Sequence, residues 1–271
     1  MIKKEQKKEK FKLVVDKGFP FAAKEAYNAL RTNLLYALAP TNGKIIAVTS
    51  SNAGEGKSTV SINLALTMAL TSAKVLLIDA DLRRPTIHKK VGLSNSKGLS
   101  RFIVGFETMS ESLKRDVFEN LDIMTSGPIP PNPSELLGSE NMRVFLQKAS
   151  DYYDYIIIDT PPVNIVTDVA VMSDLISGVV LVVSYGQTTT ADVKKAKDAL
   201  EKVNAKLYGM IVSGVNKKIS KYNKKDKASS YSHFAFLHFF FLGMVSIPVS
   251  YTMSRTSIHS SQALCLSDLV P

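Results

Sequence analysis

The sequence predicts a doubly wound α/β protein with a mostly parallel sheet. Three observations predict it. Short apolar runs alternate with helical stretches over most of the chain. Those runs are apolar throughout instead of alternating with polar residues, as strands are when both faces are covered. A glycine-rich loop and three aspartates follow directly on runs, where parallel sheets place their ligand sites.

The elements follow in order. Residues 1–17 open with a basic segment, and residues 1–13 (MIKKEQKKEKFKL) carry net charge +4. "FAAKEAYNALRTNLLYAL" places Ala26, Tyr27, Leu30, Leu34 and Leu38 at helical spacing, and Pro40 and Gly43 end that helix. "KIIAVTS", "KVLLIDA", "LDIMTS", "YDYIIIDT", "GVVLVVS" and "YGMIVSGV" read as strands. "STVSINLALTMALTS", "SELLGSENMRVFLQKAS" and "TADVKKAKDALEKV" read as helices. "SGPIPPNPSELL" is a proline-rich loop in which Ser134 is the expected helix N-cap, with Glu135 in the first turn. The folded domain is expected over residues 18–218, with a flexible, atypical tail over 219–271.

The chain has 271 residues and a globular balance of 45% hydrophobic and 21% charged residues. That is enough for one domain of about 200 residues plus tails. The net charge of +10 sits mostly in the flanks: residues 217–227 add +5 to the N-terminal +4, which leaves +1 for everything else. Such lysine runs are ordinarily solvated. They also suit an anionic membrane surface or an acidic partner, at up to ~1 kcal/mol per lysine near a charged bilayer. A nucleic-acid groove fits least, because the body is not basic. The single cysteine, Cys265, allows no internal disulfide and suits a reducing compartment. No apolar run follows the first lysines as in a signal peptide, and none up to residue 227 approaches the ~20 residues of a spanning helix. A cytoplasmic location is expected.

The chemistry starts at "VTSSNAGEGKSTV". The loop from Ser51 to Thr59 joins a strand to a helix, so Gly54, Glu55, Gly56, Lys57, Ser58 and Thr59 arrive at a helix N-terminus. Free N–H groups and the helix dipole bind anions there. Lys57 suits the β- and γ-phosphates, and the Ser58 hydroxyl suits Mg²⁺. Ser51 stands where such loops usually begin with glycine; that position makes the turn and touches no phosphate. Asp79 and Asp81 end the second strand, and Asp159 ends a later one. All three are expected to converge on the loop's Mg²⁺, with one left to act as a base.

The set "SSNAGEGKST", "LLIDADLRRP" and "IIIDTPP" resembles the Walker A, A′ and B motifs of the bacterial tyrosine kinases of capsular and exopolysaccharide synthesis. These are P-loop NTPases. The resemblance runs from about residue 18 to 218. It implies an autophosphorylating protein-tyrosine kinase that uses ATP and Mg²⁺. Lys57 and Ser58 would hold phosphates and metal. Asp79 would activate a tyrosine hydroxyl, Asp81 would assist, and Asp159 would organise Mg²⁺. Arg83 would fix the aspartate loop. Asn216 is a candidate for recognising adenine, and His88 carries no assigned role.

The family's Glu-x-x-Arg-x-x-Arg helix, which assembles subunits into a ring, is matched here by "EAYNALR". Glu25 and Arg31 agree, and Asn28 stands in place of the first arginine. The resemblance further implies activation by the cytosolic segment of a separate transmembrane protein, holding the kinase at the inner face of the membrane. Tyr222 and Tyr231 are the candidate phosphoacceptors, but the family's tyrosine cluster does not follow. From residue 228 only Arg255 and Asp268 are charged. That break motivates the hypothesis of an altered reading frame beyond about Ser232; sequencing the coding DNA and finding no tyrosine-rich frame would refute it. The alternative function is a membrane-cycling switch ATPase of the partition or division-site type. Those carry a lysine five residues before the loop's main lysine, where this chain has Asn52.

Overall fold

The computed structural model describes residues 12–41, 44–215 and 236–240. In chain order the elements are α1 (Phe21–Leu38), β1 (Ile45–Ser50), α2 (Lys57–Ala69), β2 (Val75–Asp79), α3 (Ile87–Val91), α4 (Leu99–Ile103), α5 (Met109–Ser112) and β3 (Leu113–Phe118). There follow β4 (Leu121–Met124), α6 (Pro133–Leu137), α7 (Glu140–Tyr152), β5 (Tyr155–Asp159), β6 (Gly178–Ser184), α8 (Thr190–Glu201), β7 (Leu207–Val215) and β8 (Phe236–Phe240).

The sheet order is β3-β4-β2-β5-β1-β6-β7-β8. The six inner strands run parallel and are the six apolar runs read from the sequence. The two edge strands run antiparallel. Successive residues of a strand enter opposite cores: Leu77 packs on one face, Leu76 and Ile78 on the other. This period of two, with both faces covered, explains the unbroken apolar runs. Helix α2 is buried nearly all round because it packs on β1, β2 and β5 while α1 covers it from outside. A helix apolar on every side needs such a middle position.

Four expectations are corrected. The helix read over "SELLGSENMRVFLQKAS" is two helices, since α6 stops before Gly138 and Ser139 caps α7 by accepting from Met142 N at 3.3 Å. Ser134 does not cap α6: Asn132 holds that position, Pro133 opens the helix, and the Ser134 hydroxyl is engaged elsewhere. The body also begins before residue 18, because Leu13 and Val14 are buried and Val14 N donates to Asn63 Oδ1 at 2.7 Å. Lastly, the segment assigned to the tail contributes β8, paired antiparallel with β7 and lying beside α1.

Candidate nucleotide and phosphoryl-transfer site

The chain turns from β1 into α2 through Ser51–Gly56, with β5 and β6 on either side of β1. Gly54 and Gly56 have φ of +85° and +92°, in the left-handed region that glycine enters without steric cost. Ser51 stays outside that region, so this loop needs no glycine at its first position. Glu55 is buried and braces the loop. Its carboxylate accepts from Asn52 N at 2.9 Å and from Thr188 Oγ1, and its carbonyl accepts from Ser213 Oγ at 2.7 Å. Those contacts tie the loop to β7 and to the turn after β6.

Lys57 is the first residue of α2, and its Nζ lies 2.7 Å from Asp81 Oδ2, 3.6 Å from Asp159 Oδ2 and 3.3 Å from Ser58 Oγ. Burial works against its charge, but Asp159 and Asp81 outweigh burial and raise its pKa. Asp159, at the end of β5, accepts from Ser61 Oγ at 3.0 Å. Its pKa is raised by burial and held back by Lys57 and the hydroxyls of Ser58 and Ser61. Asp79, at the end of β2, accepts from Ile87 N at 3.1 Å. Burial, then the Asp159 charge, pushes its pKa well above the usual carboxylate range. The β2–β5 register sets Asp79 beside Asp159; Asp81 and Asp159 both reach Lys57 Nζ, and Asp79 lies near enough to feel its charge.

Two carboxylate oxygens here, Asp79 Oδ1 and Asp159 Oδ2, are buried without a hydrogen-bond partner. Beside the Ser58 hydroxyl they offer a hard cation an oxygen donor set. Among the described residues no group of three or more His, Cys, Asp and Glu side chains is arranged to hold a metal ion.

Arg83 is bidentate to Asp168, with Nε to Oδ2 and Nη2 to Oδ1 both at 3.1 Å, and Nη2 also reaches Ser134 Oγ at 2.9 Å. Arg84 N donates to Asp81 Oδ1 at 2.9 Å. Lys90 reaches Thr59 Oγ1 at 3.2 Å from α3. Glu25 accepts from Asn28 Nδ2 at 3.0 Å, and Arg31 Nη1 donates to Thr67 O near the end of α2 at 2.9 Å. Asn216, Tyr222 and Tyr231 lie outside the described residues. Sequence reasoning missed Ser61, Asp168, Thr188, Ser213 and the role of Ser134. Each acts through a contact distant in sequence, and no local pattern marks it.

A parallel sheet carrying a glycine loop, a lysine and strand-end carboxylates around one cleft defines a P-loop nucleotide-binding protein. Residues 43–221 match the AAA domain family. The tyrosine-protein kinase YwqD of Bacillus subtilis is 42% identical over 200 residues, covering 74% of this chain and 84% of that protein. The chain belongs to the bacterial tyrosine kinase family. Among solved structures, the kinase domain of the Escherichia coli tyrosine kinase ETK superposes with a TM-score of 0.69 at 37% identity, covering 77% of this chain and 80% of that one. The septum site-determining protein MinD of Pyrococcus horikoshii, complexed with Mg-ADP, is similar at a TM-score of 0.53 and 22% identity, a likeness of fold alone.

Proposed function

We infer that the protein is an ATP-dependent protein-tyrosine kinase regulating capsular or exopolysaccharide polymerisation and export. The observation that carries this reading is Asp79, a buried carboxylate with raised pKa beside the lysine cleft. Glycine-loop amides and Lys57 bind and orient the triphosphate. Ser58, Asp79 and Asp159 would hold Mg²⁺, which supplies neutralising charge at the phosphates when bound. The Asp79 carboxylate takes the phenol proton of the acceptor tyrosine. The phenolate oxygen bonds to the γ-phosphorus, the bond to the bridging oxygen breaks, and ADP leaves. A base with raised pKa suits proton transfer near neutral pH.

Helix α1 supports assembly with other copies, because Phe21 and Tyr36 are exposed beside the Glu25–Asn28–Arg31 face. No helix among the described residues is long and apolar enough to cross a membrane. Recruitment by the cytosolic segment of a transmembrane activator fits that observation. The decisive assay is incubation with ATP, Mg²⁺, that segment and a tyrosine polymer. Phosphotyrosine is expected. Free phosphate with no labelled protein or polymer would favour the switch ATPase instead. For assembly, light scattering of Glu25→Ala/Arg31→Ala should show smaller species than the native chain; equal masses would refute the α1 interface.

A further inference from the structure

Parallel strands β4, β2 and β5 lie side by side, and their carboxyl ends release three loops on the same side of the sheet. The first runs from Asp79 to α3 and carries Asp81, Arg83 and Arg84. The second is the proline-rich stretch from Met124 to α6. The third follows Asp159 and reaches Asp168. One closed cluster ties all three. The Asp168 carboxylate is wholly buried and accepts both ends of the Arg83 fork at 3.1 Å. It also accepts from Ser134 Oγ at 2.6 Å, and Ser134 Oγ in turn accepts from Arg83 Nη2 at 2.9 Å. The first and third loops give Arg83 and Asp168, the first turn of α6 at the end of the second gives Ser134, and every side chain contacts the other two.

The cluster lies next to the reacting groups along the chain. Arg83 is two residues from Asp81, which pairs with Lys57, and four from Asp79. Asp81 is further pinned by the N–H of Arg84, the residue after Arg83. A bidentate guanidinium–carboxylate contact fixes direction as well as distance, because both planar groups must align. Losing one end of the cluster therefore frees the loop that aims Asp79 and Asp81, and at the same time frees the proline-rich wall beside it.

We propose that Asp168 is a positioning residue for phosphoryl transfer, acting through Arg83 and Ser134 to hold the aspartate loop and the proline-rich loop as the acceptor side of the cleft. This rests on the kinase reading above. The polar partners of Asp168 among the described residues are Arg83 and Ser134, not the glycine loop, so nucleotide binding is expected to be independent of it. The proposal therefore separates the two halves of the reaction: ATP affinity belongs to α2 and its loop, and acceptor alignment belongs to the three-loop cluster.

The test uses the full chain with the activator segment, a tyrosine polymer as acceptor and a fluorescent ADP as binding probe. Asp168→Asn and Ser134→Ala are compared with the native protein, with thermal melting as a control for folding. A misplacement of about 1 Å at a reacting group can cost about 100-fold in rate. The expectation is a 10- to 100-fold fall in kcat and a raised KM for the polymer in Asp168→Asn, with unchanged ADP affinity. A smaller change of the same kind is expected in Ser134→Ala. Arg83→Ala combined with Asp168→Ala should cost less than the sum of the two single alanine variants, since both remove the shared Arg83–Asp168 contact. The proposal is overturned if the variants only melt earlier while kcat and acceptor KM per folded molecule stay native. It is equally overturned if ADP affinity falls in step with kcat. A native chain that gives no phosphotyrosine overturns the kinase reading itself, and this proposal with it.

Discussion

Lys57 Nζ lies 2.7 Å from Asp81 Oδ2, an ion pair that joins the first turn of α2 to the loop leaving β2. The same ammonium is 3.6 Å from Asp159, so one cation holds two buried carboxylates. Removing the cation takes away the ion pair of Asp81 and the cation 3.6 Å from Asp159. Breaking a buried pair from one side typically destabilises by ~3–5 kcal/mol. Lys57→Met is therefore expected to melt earlier than the native chain and to bind no nucleotide. Equilibrium binding of fluorescent ADP and a melting curve check both; native affinity in this variant would remove Lys57 from the phosphate site.

Asp79→Asn should keep ADP binding and lose transfer by about 10²- to 10⁴-fold, the usual contribution of a positioned base. Phosphotyrosine yield at saturating ATP measures it, and an active variant would show that Asp79 is not the base.

The same residue gives a pH dependence. The folded protein holds a proton on Asp79 at pH values where the unfolded chain has released it. Stability from this group is thus present below the ordinary carboxylate range and is lost as pH rises through the raised folded pKa. Without Mg²⁺ or nucleotide, the melting temperature of the native chain should fall from mildly acidic to neutral pH. In Asp79→Asn that decline should be shallower. Parallel profiles for the two proteins would contradict the assignment.

Asp159 Oδ2 accepts no hydrogen bond although it is buried, and its partner oxygen is already held by Ser61. If Mg²⁺ uses that oxygen, ADP with Mg²⁺ should raise the melting temperature more than ADP with a chelator. A ligand at 100 times its Kd adds ~2.7 kcal/mol. The Mg²⁺ increment should disappear in Asp159→Asn while the ADP increment persists.

Gly56 caps α2 at φ +92°, and an added Cβ would meet nothing closer than 3.5 Å, at Ser213 Oγ. Space is therefore available, and the cost of Gly56→Ala is conformational, about 1–2 kcal/mol for a left-handed residue with a side chain. Chemical denaturation should show that loss together with weaker ADP binding. An unchanged midpoint and affinity would mean that the loop tolerates another conformation.

Local pattern carries the repeated part of this fold. The six parallel strands are largely apolar runs, and α1 spans the residues whose spacing marks it. Strand β3 escapes that reading because an edge strand exposed to water can be polar: LKRDVF has three charged residues in six. The break between α6 and α7 escapes it because Gly138 and Ser139 interrupt an otherwise continuous apolar spacing. The glycine loop and the three aspartates are legible because each lies at the end of a strand, and strand ends are where a parallel sheet gathers its ligands.

The sequence by itself determined which groups enter the cleft: a lysine and a serine on a helix N-terminus, and carboxylates on β2 and β5. Periodicity and motif spacing are local, and local order suffices to place them. Only the tertiary structure decided how those groups are held. Arg83, Ser134 and Asp168 meet from three loops, Glu55 meets Thr188 and Ser213, and Ser61 meets Asp159. These contacts span tens to more than a hundred residues. They exist because the register of parallel strands brings distant loops to one edge, where buried charges must find partners.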